Sequence, residues 1–229
     1  MLFLRLLVLC AAFASAQAWG QVRQVQDPYE IHVYEYEPMG LGEFSYEAHT
    51  SYGQEFHFSS EVTAGITDQF RMAAVFLTAD NLQYRGFHVL PHFYAPPSWG
   101  LPFNLGLVVE FAVETNQPRH VELRPIVEKH IGRLQLDANP VAAHVFRPSG
   151  GWIFEPAGRV AWRATKLVTP SFEYYGSLSS TPTHQVYPGA DLHLSDRFTW
   201  NLGVGFGLTE YGSRVIWKSR FEIDLGRRH

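Results

Sequence analysis

The chain has 229 residues, a formal charge of −4 and a single cysteine, Cys10, near its start. That balance points away from a nucleic-acid partner, and one cysteine excludes a disulfide framework or a thiolate metal centre. Aromatics at 15%, with 19 glycines and 14 prolines, point to strands and turns.

In chain order, the first element is a secretory signal. Arg5 precedes the apolar run Leu6 to Phe13, and Ala14-Ser15-Ala16 and Ala16-Gln17-Ala18 both offer small-residue cleavage sites. Residues 1–18 are expected to be removed, and Cys10 with them. The run is too short for a spanning helix, which takes roughly 20 apolar residues. No second long apolar run follows, so an integral membrane form would have to be a barrel.

Residues 19–41 read as a periplasmic or lumen-plugging lead-in. Tyr29 to Glu37 alternates like a strand, but Pro38 ends it, and a thirteenth strand would break an even count. Residues 42–229 read as one outer-membrane β-barrel.

From Gly42 to Leu225 the dominant signal is period-2 alternation. Phe56, Phe58 and Val62 alternate with Glu55, His57, Ser59, Glu61 and Thr63. Val121, Leu123, Pro125 and Val127 alternate with His120, Glu122, Arg124 and Glu128, with Ile126 as the exception. Phe198, Trp200, Leu202, Val204, Phe206 and Leu208 share one face; Thr199, Asn201, Gly203, Gly205 and Gly207 share the other. Val215, Trp217, Phe221 and Ile223 alternate with Lys218, Arg220, Glu222 and Asp224.

The segments are about as long as the 9 to 11 residues of tilted membrane strands and longer than the roughly 5 or 6 of soluble ones. Tyr52, Trp152, Trp162, Trp200, Trp217 and Tyr211 stand near segment ends, as interfacial girdles do. Tight turns at Gly65 to Asp68, Ile131 to Arg133, Ala164 to Lys166 and Ser195 to Arg197 assign one rim, the periplasmic one. Longer links near Tyr52 to Gln54, Thr78 to Asn81, Thr115 to Pro118, Phe146 to Gly151, Ser179 to Thr183 and Glu210 to Ser213 assign the other. With Ala95 to Phe103 as a further periplasmic connector, the fold class is all-β: a closed antiparallel transmembrane barrel of about 12 strands, an up-and-down meander. Pro91, Pro125, Pro140, Pro156, Pro170 and Pro188 fall inside strands on the outward parity, each removing a ladder donor.

The stretches Val33 to Pro38 (VYEYEP), Gly65 to Phe70 (GITDQF), Val121 to Arg133 (VELRPIVEKHIGR), Phe172 to Leu178 (FEYYGSL) and Gly203 to Thr209 (GVGFGLT) carry a resemblance. They are similar to a group of proteobacterial-type outer-membrane barrels, itself similar to the barrel proteins associated with phenol-degradation pathways of the MetA type. The resemblance implies an outer-membrane barrel and a passive transporter, and brings no catalytic residues. Barrels of this kind commonly end in an aromatic residue; this chain ends in Arg228-His229.

The inward parity collects the candidate lumen lining: His88, His92, Glu110, Glu122, Arg124, Glu128, Arg159, Glu173, Asp191, Lys218, Arg220 and Glu222, with the aromatics Tyr84, Tyr94, Tyr175 and Tyr187. Two readings fit, a network of cross-strand ion pairs and a selectivity lining for a small solute. Arg124 and Arg220 are the candidates for a charged constriction. His88 and His92 share a face, but a metal site would need further ligands such as His49 and His57 from neighbouring strands. No metal and no cofactor are expected. Ser177, Ser179 and Ser180 precede His184, and nothing in the sequence orients them for hydrolysis.

The expected function is a passive channel or transporter for small solutes, not an enzyme. Its expected partners are outer-membrane lipid, the outer-membrane assembly machinery and an unidentified small solute; no nucleic acid is expected, and the chain is expected to be a monomer. The alternatives are a non-conducting structural protein of the outer membrane and a barrel-embedded hydrolase.

Overall fold

The computed structural model describes residues 32–53, 55–80, 82–115, 117–148, 150–179, 181–210 and 214–226. The expected signal (1–18), Tyr211, Ser180 and the Arg228-His229 end lie outside the described residues. Strands follow one another in chain order: β1 Phe44–Tyr52, β2 Phe56–Thr67, β3 Phe70–Ala79, β4 Gln83–Tyr94, β5 Asn104–Glu114 and β6 His120–Ile131. Then come β7 Leu134–Val145, β8 Trp152–Trp162, β9 Val168–Gly176, β10 His184–Ser195, β11 Phe198–Gly207 and β12 Val215–Leu225. Each pairs antiparallel with its sequence neighbours, and β1 pairs with β12 from Phe44↔Leu225 to Tyr52↔Trp217, closing the barrel. Closure leaves no edge strand, which is what a sheet in lipid requires.

The distribution of side chains is the inverse of a soluble protein. Phe76, Phe93, Phe111, Phe154, Val160, Phe172 and Phe206 stand exposed on the outer face, while Glu110, Glu122, Arg124, Arg159 and Glu173 are buried inside. An apolar exterior around a polar interior is the partition lipid imposes. Tyr52, Trp152 and Trp217 ring the rim with the longer connections; Trp99, Trp162 and Trp200 ring the rim with the tight ones, all exposed.

The tight turns fall where the sequence places them. Gly132 adopts φ +63, a conformation that favours glycine, between Ile131 and Leu134. The connector between β4 and β5 folds a short 3-10 turn, Pro97–Trp99, ended by Gly100 at φ +61. It joins the tight-turn rim, so the strand parity holds throughout.

Three of the six strand prolines, Pro125, Pro140 and Pro156, meet across neighbouring strands. Pro140 faces Pro156 directly across β7 and β8. Pro125 falls opposite Pro140, in a stretch where the β6–β7 ladder has no pair between Leu123↔Ala142 and Val127↔Ala138. Two imino residues cannot exchange N–H donors, so a gap opens there. The Pro125 carbonyl accepts instead from Asn139 Nδ2 on the lumen side, at 3.3 Å.

Candidate functional site

Residues 32–39 precede β1 and run through the lumen, buried at Val33, Tyr34 and Met39. The segment is held by its backbone as much as by its side chains. Tyr34 N–H donates to Asn139 Oδ1 at 2.7 Å, and Asn139 Nδ2 donates back to the Tyr34 carbonyl at 3.1 Å. Tyr36 N–H donates to Glu128 Oε2 at 3.0 Å, and the Tyr36 hydroxyl donates to the Ala95 carbonyl at 2.8 Å. A strand-like segment with no strand beside it must find its backbone partners among lumen side chains, and these supply them.

One wall of the lumen carries an apolar patch. Ala73, Val75, Leu77 and Ala79 of β3, Leu90 and Tyr94 of β4, Val108 of β5 and Ile126 of β6 form a buried cluster with Tyr34, and Tyr36 packs on it. Ile126, the break in the alternation of β6, belongs to this seat. The opposite wall is ionic. Arg159 pairs with Glu35 Oε1 at 2.7 Å, Asp137 Oδ2 at 3.4 Å and, in closer contact, Asp191. Lys218 pairs with Glu173, whose carboxylate also accepts from the Tyr175 hydroxyl, and its ammonium lies 5.4 Å from the Tyr187 ring. Gly205 makes room for that ring: a Cβ there would collide with it. Arg220 joins Glu47 at 3.2 Å and Glu222 at 3.6 Å, and donates to His32 Nε2 at 3.1 Å. Burial and the neighbouring Arg220 hold the His32 imidazole well below its ordinary pKa, which suits an acceptor.

The structure places all twelve predicted lining residues on the inner face, Glu222 half-buried and the others buried. They fall into separate groups. His88, Glu110, Glu122 and Arg124 stand together; His92 lies apart, beside Arg71 Nε at 3.1 Å and Tyr94. His49 pairs with Glu47 at 3.0 Å, so His49, His88 and His92 belong to three different groups. Arg124 and Arg220 both belong to ion-pair groups that reach the 32–39 segment: the Arg124 guanidinium lies 4.6 Å from the Tyr34 ring.

Tyr84 is a correction. It is 61% exposed on the outer face. The register shifts between Leu77↔Gly86 and Thr78↔Tyr84, so Arg85 is an extra residue that flips the parity of β4 at that end. The residues that sequence reasoning missed are Asn139, Glu35 and Glu37, which anchor the segment; Arg71, on the inward parity, donates to the Glu37 carbonyl at 2.9 Å. The serine–histidine grouping is not assembled among the described residues: Ser179 donates to the Thr181 carbonyl at 3.1 Å, and His184 Nδ1 is engaged by the Tyr174 hydroxyl at 2.7 Å.

No protein-family model matches the sequence, and no curated protein matches it. Solved structures do match the fold. An outer membrane channel from Pseudomonas putida F1 superposes with a TM-score of 0.62 at 11% identity, covering 86% of this chain and 100% of that one. The KdgM porin gives 0.61 at 10% identity, covering 80% of this chain and 99% of that one. The NanC porin gives 0.59 at 8%, covering 80% and 100%. The fold is thus that of small outer-membrane porin channels. The coarse resemblance read from the sequence, to outer-membrane barrels, agrees with this; the finer one, to the MetA-type group, has no match among the family models.

Proposed function

We propose that this chain is a monomeric outer-membrane channel for small solutes, whose lumen is occupied by its own residues 32–39. The observation that carries the reading is the charged, aromatic-containing interior inside an apolar outer face. Its surroundings in this reading are outer-membrane lipid around the apolar belt and the assembly machinery that inserts it.

The sign of the lining narrows the solute. Buried Glu47, Glu61, Glu110, Glu122, Glu128, Asp137, Glu173 and Asp191 outnumber buried Arg71, Arg124, Arg159, Lys218 and Arg220, and Glu35 and Glu37 add to the acidic side. An acidic bore concentrates cations and repels anions. A polyanion such as the oligogalacturonate found with the KdgM porin is therefore a poor candidate here, and a small cationic or neutral polar solute a better one.

The test is conductance of the full mature chain in a planar bilayer under a KCl gradient. Cation-selective conductance is expected, larger in Asn139→Ala than in the parent. The pairing of nearly every lumen cation with a carboxylate favours a second reading, a non-conducting structural barrel. Silence of both proteins in the bilayer would establish that reading instead.

A further inference from the structure

The lumen groups near the ends of β4, β5 and β6 are arranged differently from the rest. Elsewhere buried carboxylates such as Glu47, Glu128 and Glu173 have hydrogen-bonded donors at close range, His49, His130 and Tyr175 among them. Here Arg124 takes an oxygen from each of two carboxylates, Glu122 Oε2 at 2.7 Å and Glu110 Oε2 at 3.3 Å. The other two oxygens turn to histidine. Glu110 Oε1 lies 2.9 Å from His88 Nδ1 and 3.9 Å from His120 Nε2; Glu122 Oε1 lies 3.8 Å from the same His120 nitrogen.

His120 is the decisive residue. It is 2% exposed, and neither of its ring nitrogens makes a hydrogen bond among the described residues. A buried imidazole left in that state is costly unless something between it and the carboxylates takes up its lone pair. One ligand atom each from Glu110, His120 and Glu122 lies within 4.8 Å of the other two. Two ligands each about 2.1 Å from a tetrahedral ion stand roughly 3.4 Å apart, so side-chain shifts on the order of an ångström would close the set.

We propose that Glu110, His120 and Glu122 form a binding site for a divalent transition cation of the zinc type. The mixed imidazole and carboxylate set selects zinc-like ions over calcium or magnesium, which prefer all-oxygen shells. His88 supplies the outer support such sites use: its Nδ1 lies 2.9 Å from Glu110 Oε1 and its Nε2 3.3 Å from Glu114 Oε1, so it orients the Glu110 carboxylate. Charge agrees. Glu110, Glu114 and Glu122 against Arg124 leave two uncompensated negative charges with both imidazoles neutral, and one divalent ion cancels them. The ion would tie β5 and β6 together beside Arg124, which stacks on Tyr34 of the lumen segment.

The test uses the full mature chain folded in detergent, equilibrated with Zn2+ alone, passed through metal-free buffer and assayed for bound metal by atomic emission. One ion per chain is expected in the parent and in His193→Ala, a histidine whose neighbours are Thr169 and Thr199. His120→Ala and Glu122→Gln should each weaken binding at least about tenfold, with heat-modifiable migration preserved, and excess Ca2+ should not displace the ion. Co2+ in the parent should give the visible absorption of a low-coordinate nitrogen and oxygen site, a readout that needs no variant to fold. A parent that retains no Zn2+ and shows no such Co2+ spectrum overturns the proposal. So does retention that survives both substitutions, or that is lost instead in His49→Ala, which would put the ion at the Glu47, His49 and Glu61 group.

Discussion

The two walls of the lumen hold residues 32–39 by different physics. The β3–β6 wall offers an apolar patch, Val75, Leu77, Leu90, Val108 and Ile126, on which the Tyr34 and Tyr36 rings pack, with Arg71 and Arg124 at its margins. The β8–β12 wall offers Arg159 and Arg220, which reach Glu35 and His32. Apolar packing is insensitive to direction and to salt, whereas ion pairs fix register and are lost when one partner goes. A segment gripped in both ways is seated by the first and aligned by the second.

Breaking the ionic wall should have the largest effect. Arg159→Ala leaves Asp137, Asp191 and Glu35 facing one another without their shared cation. A cost of about 3–5 kcal/mol is expected for stranding buried charge, read as a lower urea midpoint of the folded barrel in detergent. Arg159→Lys should recover only part of it, since one ammonium cannot reproduce the guanidinium fork. In the apolar patch, Leu90→Ala should cost about 2–5 kcal/mol, depending on how far the cavity collapses. Its effect should be the same at low and high salt. A strong salt dependence at Leu90 would show that the two walls do not differ as described.

The contrast between the walls was only half legible in the sequence. Alternation separated the outer face from the inner one correctly along β11, where Val204 pairs with Trp217 outside and Gly203 with Lys218 inside. It could not reveal that one inner wall carries an apolar patch, because an apolar lumen surface needs an occupant, and the occupant lies outside the strands. The clue was β3, whose Phe70-Arg71-Met72-Ala73-Ala74-Val75-Phe76-Leu77 run is apolar on both parities except at Arg71. A strand buried on both faces reads that way. Ile126 was the same clue on β6. Tyr84 was illegible for another reason: a bulge changes parity without changing composition. The prolines were visible, but the compensation at Pro125 through Asn139 required the register between β6 and β7.

A smaller effect is expected where the backbone of the segment is clamped. Asn139→Ala removes both hydrogen bonds to Tyr34 and the one to the Pro125 carbonyl. Unsatisfied buried amide groups cost about 1–3 kcal/mol, which would raise the open fraction of a channel closed by this segment by roughly tenfold or more, since about 1.4 kcal/mol is a factor of ten. Single-channel recordings give that fraction directly. Unchanged recordings would mean that the segment is not the barrier to conduction.

The smallest effect tests the ionic wall at its end. His32 accepts from Arg220 with Nε2, and burial, then Arg220, His49, Lys218 and Arg159, hold its pKa well below the ordinary value. A base whose pKa is lowered in the seated state disfavours protonation there, so its contribution to seating is full above the ordinary histidine pKa of about 6.5. The contribution is lost progressively as pH falls below that value toward the lowered one, because the free segment takes up the proton first. Conductance is therefore expected to rise on acidification from neutral pH, and to do so in the parent but not in His32→Gln, which cannot be protonated in this range. Acid also weakens carboxylates, so the variant is the necessary comparison: a rise of equal size in His32→Gln would assign the pH response to the Arg159 and Arg220 carboxylate partners and leave His32 a neutral contact.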